Sequence, residues 1–352
     1  MKSNIQLWVA TVCLAILISS CQKLFIEPNA ESSVEQNFEI FWNDLNNTYP
    51  YFKRDNVDWQ AVYDKYRPQV TSSTSKEKLA YIFTEMLTPL SDQHMSITTP
   101  FGSWSHPRPH YEDNYDEDVV HGILNQQQKP ILGPDFPDET KTIEVGEYGI
   151  INRNGNDYIY FRIETFLTKH SFERTLDSII NHNINAKGII LDVRNNLGGS
   201  IATLINLMGT FTSAPESRFI TYALVKEKVG PLEDSYGLQQ AYPIFKNAYT
   251  TYTKPVALLT NRYSISAAEH ASLAMRKISK GFIVGDTTFG ATSFIVQRTL
   301  PNGFSYTSVN SITTDPQGKI YEKIGVPPTI TVKTTPGNDE IIDRAIVEIN
   351  NR

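Results

Sequence analysis

Residues 188–199 of the chain read GIILDVRNNLGG. The apolar run Gly188–Val193 predicts a β-strand buried on both faces, as in parallel sheets. The two glycines that follow predict a turn in which the backbone approaches a ligand closely. A helix is expected from Ser200, and the N–H groups at such a start can bind an anion or a developing oxyanion. The third glycine of a dinucleotide-binding motif is missing, which argues against that class.

Strands alternate with helices on both sides of this stretch. The predicted strands are residues 158–163, 188–193, 255–259, 282–285 and 329–332, and the predicted helices are residues 171–184, 200–211 and 267–279. Such alternation indicates an α/β fold with helices covering a sheet. An Asn-Gly pair within Leu300–Phe304 predicts a β-hairpin.

The composition excludes several classes of protein. With 352 residues, 40% of them hydrophobic and 20% charged, the chain has material for a packed core and is neither disordered nor collagen-like. The formal net charge is −6, and the lysines and arginines are scattered, which argues against a nucleic-acid partner. Two cysteines, Cys13 and Cys21, leave no disulfide framework.

The N-terminus has the pattern of an export signal. Lys2 precedes an apolar run over residues 5–18, which is too short to span a bilayer comfortably. The run ends in Ile-Ser-Ser-Cys21, which resembles the bacterial lipobox. We therefore expect residues 1–20 to be removed and Cys21 to carry two acyl chains, which make a stable anchor. The alternative is an ordinary secretory signal with Cys21 present by chance. The expected location is the bacterial cell envelope, on the outer membrane.

Residues 21–33 are polar and predict a tether, and a helical module follows at residues 34–99. Its apolar residues recur every three to four positions, with Asp58 and Thr74 as expected N-caps. Residues 100–146 show no sustained periodicity and predict an irregular insert. The histidines of this insert lack the spacing and the partners of a metal site, so we expect them at the surface. They are His106, His110 and His121.

A second candidate for chemistry is the stretch NRYSISAAE, residues 261–269. Ser266 is expected at a helix start with small neighbours, which leaves room for an acyl group. The N–H of Ala267 would then face an oxyanion bonded to that serine. The alternative to a catalytic role is that Ser264 or Ser266 simply caps the helix, because serine is a good N-cap residue.

A nucleophilic serine needs a base within hydrogen-bond reach. His94 is one candidate, and His270 is the rival. An imidazolium at residue 270 would oppose the positive end of the helix dipole, so we favour His94. Glu322 lies just before the stiff turn Gly325–Pro328, where a carboxylate is able to orient the imidazole or simply be a solvated surface group.

These segments together resemble the tail-specific, or C-terminal-processing, serine peptidases of family S41. The resemblance covers residues 35 to about 333 and includes GDTTFG, residues 285–290. It implies a crotonase/ClpP-like α/β core at residues 147–335 with an N-terminal helical cap, followed by a C-terminal helix or tail at 336–352. By the resemblance, Ser266 matches the catalytic serine.

Departures from the family pattern bear on mechanism and on substrate recognition. The processing-protease branch has a lysine base after Phe-Gly, and this chain has Ala291 there. The segment Asp92-Gln93-His94 resembles that of the tricorn-core-like branch, which uses serine, histidine and glutamate. The PDZ domain usual in the family is not visible, because residues 100–145 lack its carboxylate-binding loop.

The resulting hypothesis is a membrane-tethered serine endopeptidase that acts on polypeptides without a metal or organic cofactor. Ser266 attacks the peptide carbonyl, His94 transfers the proton and Glu322 orients His94. The N–H groups of Ala267 and of Gly198 or Gly199 hold the oxyanion. One alternative is a catalytically inactive peptide-binding lipoprotein of the same fold. Another is an esterase, although the Gly-x-Ser-x-Gly elbow is missing.

Overall fold

The computed structural model describes residues 24–25, 33–135, 138, 140–213, 219–249 and 251–352. The predicted signal peptide, Cys21 and most of the tether lie outside the described residues. No described helix has the length and apolar character needed to cross a membrane. The chain divides into two compact units. The first unit contains residues up to 108, 227–237 and 294–311, and the second contains residues 109–226, 238–293 and 312–352.

The first unit combines helices with one sheet. Its described helices are α1 (Val34–Thr48), α2 (Trp59–Tyr66) and α3 (Lys76–Leu87), with short 3₁₀ turns at Arg67–Gln69 and Thr88–Leu90. Its five-stranded sheet has the order β1-β12-β13-β2-β3. These strands are β1 (Leu24–Phe25), β2 (Ser96–Thr99), β3 (Gly102–Ser105), β12 (Ile295–Thr299) and β13 (Ser305–Val309). The antiparallel pairing of β12 with β13 confirms the predicted hairpin.

The apolar periodicity of the helical module becomes the core of the first unit. Phe41 of α1 stacks on Phe83 of α3 at 4.1 Å between ring centroids and meets Tyr306 of β13 at 4.9 Å. Asp58 caps α2 as predicted, since its carboxylate accepts from Ala61 N–H at 3.0 Å. The cap of α3 is Ser75, one residue after the predicted Thr74.

A seven-stranded sheet forms the centre of the second unit, in the order β15-β11-β10-β7-β6-β5-β4. The strands from β15 to β6 run parallel, whereas β5 and β4 continue the sheet in antiparallel fashion. Their bounds are β4 Lys129–Pro134, β5 Thr142–Arg153, β6 Asn156–Ile163, β7 Ile189–Asp192, β10 Val256–Thr260, β11 Gly281–Gly285 and β15 Ile330–Thr331. A smaller sheet has the order β14-β8-β9, with bounds β8 Phe219–Glu227, β9 Gln240–Phe245 and β14 Ser311–Thr314.

Helices cover both faces of the large sheet. The described helices of this unit are α4 (Glu117–Ile123), α5 (Phe172–His182), α6 (Ile201–Met208), α7 (Ala267–Met275) and α8 (Glu340–Asn350). Residues of α5, α6 and α7 join one apolar cluster, and residues of α4 and α8 join the other. Strand β7 lies between the two clusters and is buried along its whole length. The predicted α/β fold is therefore confirmed.

The prediction of an irregular insert at residues 100–146 is wrong for much of that segment. It contains β3, helix α4, strand β4 and the beginning of β5. Strand β4 was not predicted, because its sequence, KPILGP, contains two prolines and a glycine. Proline is tolerated at the edge of a sheet, where β4 lies, and edge strands carry weak sequence signals.

The helix α8 is joined to the loop after β7 by a buried ion pair. Asp339 caps α8 by accepting from Ile342 N–H at 3.0 Å, and its other oxygen lies 2.8 Å from Arg194 Nη2. Arg194 is fully buried and is also bound by Asp192.

We expect Asp339→Ala to lower the free energy of unfolding by about 2–4 kcal/mol, because it removes a cap and one partner of a buried charge. Urea denaturation measures this loss. The control is Asp343→Ala, since Asp343 lies on the exposed side of the same helix and is expected to matter by less than about 0.5 kcal/mol. Equal effects of the two substitutions would contradict the assigned role of the ion pair.

Candidate active site

Two loops at the carboxyl edge of the large sheet are braced against each other. One follows β7 and covers residues 193–199, and the other follows β10 and covers residues 261–266. Ile265 N–H donates to the Asn196 carbonyl at 2.9 Å, and Ser264 Oγ donates to the Val193 carbonyl at 2.8 Å. Ligands in open α/β sheets bind beyond the carboxyl ends of the strands, so these loops lie where chemistry is expected.

Ser266 occupies a strained position at the start of α7. Its φ of 55° and ψ of −114° fall in a region that residues other than glycine rarely adopt. The ordinary N-cap residue has an extended backbone, so this serine is not a typical cap. The residue is half-buried, which leaves it reachable from solvent. A sharp, strained turn between strand and helix is the way a nucleophile is exposed in other serine hydrolases.

The carboxylate of Glu269 holds this turn in place. Its Oε2 atom accepts from Ser266 N–H at 3.1 Å and from Ala291 N–H at 2.6 Å. Its Oε1 atom accepts from Gly290 N–H and from Thr288 Oγ1, both at 2.7 Å. Burial raises the pKa of Glu269 to about 6, against the lowering effect of these hydrogen bonds. The sequence analysis did not single out Glu269, although its place three residues after Ser266 has capping-box spacing.

Gly198 makes the closest approach of the first loop to the serine. A Cβ atom on Gly198 would lie 2.7 Å from Ser266 Cβ and 3.0 Å from Ala267 N. Its φ of 93° also requires glycine. The first N–H of helix α7 therefore lies beside this glycine, as the sequence predicts for an oxyanion site.

The two glycines of the first loop differ in how their N–H groups are used. Gly198 N–H donates to Asn196 Oδ1 at 2.8 Å, so this group is already engaged. Gly199 forms a parallel β-bridge with Phe166. In this bridge, Phe166 N–H donates to the Gly198 carbonyl, and Ser200 N–H donates to the Phe166 carbonyl. In such a bridge the N–H of the central residue points away from the partner strand. The N–H of Gly199 therefore takes no part in this bridge, whereas the N–H of Gly198 is engaged by Asn196.

His94 belongs to the first unit, between the turn that ends at Leu90 and strand β2. Its N–H donates to Asp92 Oδ1 at 2.9 Å, and its carbonyl accepts from Thr307 Oγ1 at 2.6 Å. Neither imidazole nitrogen has a hydrogen-bond partner among the residues that the structure describes. Burial lowers the pKa of His94, Asp92 raises it and Arg108 lowers it further. The ring is thus held through its backbone and kept in the neutral form, which is able to accept a proton.

The rival base, His270, is committed to the core of the second unit. Its Nε2 lies 2.9 Å from the Thr292 carbonyl, to which it donates. Its Nδ1 lies 3.3 Å from the Tyr222 hydroxyl, which then donates to it. The residue is 2% exposed. A ring with both nitrogens bonded inside the core is a structural histidine, which agrees with the preference for His94.

Glu322 lies in the second unit and is buried. Its Oε2 atom accepts from the N–H and the hydroxyl of Thr292 and of Ser293, at 2.8–3.1 Å. The alternative of a solvated surface glutamate is therefore excluded. The carboxylate fixes the segment that follows Ala291. Residue 291 is the position that a lysine base occupies in the processing-protease branch.

Asp92 and Arg108 have opposite effects on the pKa of His94, which allows a direct test of the charges around its ring. We expect Arg108→Gln to raise the pKa of His94 and Asp92→Asn to lower it, because each removes one charge. NMR titration of the imidazole measures both shifts, with His94→Gln to assign the signal. An unchanged or lowered pKa of His94 in Arg108→Gln would contradict the assigned effect of this charge on the ring.

A strained serine at a helix start, with a glycine in close contact and the first helix N–H beside it, is an arrangement found in serine-type hydrolases. A model described as peptidase family S41 matches residues 157–332, half of the chain, and one described as the tricorn protease C1 domain matches residues 30–88. The chain belongs to peptidase family S41, a family of serine-type peptidases.

Two solved structures of similar proteins bear on the fold of this chain. A protein from Parabacteroides merdae, described as a candidate peptidase, has a solved structure with 25% identity and a TM-score of 0.75, covering 91% of this chain and 97% of that chain. The structure of mature CPAF complexed with lactacystin shares 13% identity and a TM-score of 0.61, over 91% of this chain and 99% of its own, which supports the fold alone.

Among curated proteins, the carboxy-terminal processing protease CtpB of Bacillus subtilis is 28% identical over 185 residues, or 51% of this chain and 35% of that protein. The C-terminal processing peptidase of Tetradesmus obliquus is 27% identical over 41% of this chain and 28% of its own length. The chain therefore spans about a third of the length of these relatives.

Proposed function

We propose that the chain is a serine endopeptidase that uses Ser266, His94 and Glu322. The observation that carries the proposal is the strained turn at Ser266, which Glu269 and Gly198 fix beside the first N–H of α7. A strain of this kind costs of order 1–3 kcal/mol and persists only where the surroundings enforce it. Strained residues cluster at active sites, and family membership supplies the class of reaction.

In the first half of the reaction, Ser266 Oγ attacks the carbonyl carbon of a peptide bond while His94 takes the hydroxyl proton. The tetrahedral intermediate then collapses. The C–N bond breaks, and His94 gives its proton to the leaving amine. In the second half, water attacks the acyl carbon while His94 takes one of its protons. The bond from that carbon to Ser266 Oγ then breaks, His94 returns the proton to Ser266 Oγ, and the product acid leaves. The N–H groups of Ala267 and Gly199 hold the oxyanion in both halves.

The proposal requires the first unit to supply the base and the second unit to supply the nucleophile. Support comes from each unit separately. Burial lowers the pKa of His94, and neither of its ring nitrogens has a hydrogen-bond partner among the described residues, whereas His270 is engaged in the core. Glu322, in this proposal, orients the imidazole and stabilises its protonated form, as the third member of the tricorn-core-like arrangement.

We further propose that the enzyme is exported and held on a membrane of the bacterial cell envelope, the outer membrane, by lipid on Cys21. The support is the sequence Ile-Ser-Ser-Cys that ends a short apolar run. Globomycin treatment of expressing cells and metabolic labelling with an alkyne fatty acid test this anchor. Cys21→Ser is expected to abolish the label and release the protein from membranes, whereas Cys13→Ser should change neither.

The test of the activity is hydrolysis of an unfolded protein such as casein by the chain from residue 22 onward. We expect wild type to produce internal fragments and Ser266→Ala to lose at least about a thousandfold in rate. A suitable control is Ser73→Ala, because Ser73 is exposed in the first unit. If Ser266→Ala retains full activity, the assignment fails. If wild type binds peptides without cleaving them, the inactive peptide-binding protein is the correct alternative.

A further inference from the structure

A short segment of the predicted insert, within the second unit, is hydrogen-bonded to both loops of the candidate site. We call residues 111–115, sequence YEDNY, the strap. The strap belongs to the second unit, as do the loops at 193–199 and 261–266. The mechanism above assigns it no role.

The first attachment joins Tyr111 to the loop at residues 261–266, which we call the nucleophile loop. The first loop, at residues 193–199, is called the oxyanion loop. The Tyr263 hydroxyl accepts from Tyr111 N–H at 2.9 Å and donates to the Tyr111 carbonyl at 2.8 Å. Arg262 lies over the Tyr111 ring, 4.4 Å from its centroid, and donates to its hydroxyl at 3.1 Å. The ring also packs edge-on against Phe289 at 6.0 Å. Tyr111 is thus bound to residues that immediately precede Ile265 and Ser266.

The second attachment connects the strap to both loops at once. Asp113 Oδ2 accepts from Asn195 Nδ2 at 2.9 Å, and its Oδ1 lies 3.4 Å from Asn261 Nδ2. Asn195 and Asn261 are themselves paired, because Asn261 Nδ2 donates to Asn195 Oδ1 at 2.7 Å and Asn195 N–H donates to Asn261 Oδ1 at 3.1 Å. Asn195 has a φ of 58°, so the first loop is in a left-handed turn at this point.

The third attachment reaches the base of the first loop. The Asn114 carbonyl accepts from Arg194 Nη1 at 3.1 Å. The ring centroid of Tyr115 lies 5.1 Å from the guanidinium carbon of Arg194 and 4.3 Å from that of Arg162. The strap is therefore anchored at successive residues along the edge of the sheet where both loops begin.

We propose that the strap is a positioning element that sets the separation of the nucleophile loop from the oxyanion loop. The proposal rests on the proposed function for its catalytic meaning, and Tyr111 and Asp113 are the positioning residues. Ser266 ends one loop and Ala267 begins helix α7 directly after it, whereas Gly198 and Gly199 lie on the other loop. A small change in their separation would move the oxyanion donors away from the atom they must bind.

The expected consequence follows from the steep dependence of catalysis on geometry. A displacement of about 1 Å can cost about a hundredfold in rate. The strap touches residues behind the reacting atoms, so its loss should lower kcat and leave KM almost unchanged. Strap removal is also expected to loosen both loops, because the strap supplies bonds between them.

The experiment compares wild type with the double variant Tyr111→Ala/Asp113→Ala and with Glu112→Ala, which alters the exposed strap residue between them. We expect the double variant to lose about 10–100-fold in kcat on a casein-derived peptide, with KM changed by less than about threefold. We expect Glu112→Ala to behave as wild type. The single variant Asp113→Asn keeps one acceptor oxygen, and we expect its kcat to lie between those of the double variant and wild type.

Hydrogen exchange supplies a readout that does not depend on activity. Amides in residues 193–199 and 261–266 are expected to exchange faster in the double variant, while those of α8 keep their wild-type rates. Unchanged exchange in both loops would overturn the proposal, and so would a raised KM with unchanged kcat, which would make the strap a substrate contact. If wild type itself cleaves nothing, the proposed function fails, and the exchange experiment still decides whether the strap positions the loops.

Discussion

Gly198→Ala is expected to leave a folded protein with kcat/KM lowered by about 10²–10³. The added methyl group would lie 2.7 Å from Ser266 Cβ and 2.9 Å from the Ile265 carbonyl, closer than real atoms approach. It must therefore push the nucleophile turn away from the first loop. The N–H of Ala267 moves with that turn, and loss of one oxyanion donor costs about 10²–10³ in rate.

The control for this substitution separates backbone strain from the clash. Gly303 has a φ of 89°, similar to the 93° of Gly198, but a Cβ there meets nothing within 4 Å. Gly303→Ala thus carries the same kind of strain without the contact, and we expect it to keep nearly full activity. Both variants need a thermal melt to show that they are folded. Wild-type activity in folded Gly198→Ala would contradict the close approach of the two loops.

Loss of the proposed base should have an effect at least as large. We expect His94→Ala to lower kcat by about 10³–10⁴, because an unassisted serine hydroxyl is a poor nucleophile. Added imidazole is expected to restore part of this activity by entering the space that the ring leaves. A purely structural histidine would not show such rescue, so the rescue distinguishes a base from a packing residue.

His106→Ala is the matched control for His94→Ala. His106 is also in the first unit, where its Nε2 lies 3.3 Å from the Leu87 carbonyl and its ring meets Trp104 edge-on. We expect a small loss of stability and no loss of kcat. If His94→Ala keeps wild-type kcat, the base lies elsewhere, and the tricorn-like reading of residues 92–94 is wrong.

The elements with strong periodicity could be predicted from the sequence. Strand β7 is apolar along its length because both of its faces are covered, and such a run is visible without a structure. Helices α1 and α3 show their apolar stripes in the same way. Strand β4 could not be found, because an edge strand with two prolines has neither the alternation nor the composition of an average strand.

For the candidate site, the sequence indicated residue types better than their contacts. Ser266 and Ala267 follow a buried strand, so their place at a helix start was predictable. The role of Glu269 was not, because its partners Gly290 and Ala291 are distant in sequence. The strap was missed for the same reason, since its bonds run to loops 80 or more residues away. Asn196 also decides which glycine N–H is engaged, and no spacing rule reveals that.

Covalent labelling is the most direct test of whether Ser266 is the nucleophile. A fluorophosphonate probe is applied to wild type, Ser266→Ala and His94→Ala, and the labelled peptide is identified by mass spectrometry. Attachment to Ser266 in wild type is predicted, with no labelling of Ser266→Ala and slow labelling of His94→Ala. Equal labelling of all three proteins, or attachment to another serine, would contradict the account.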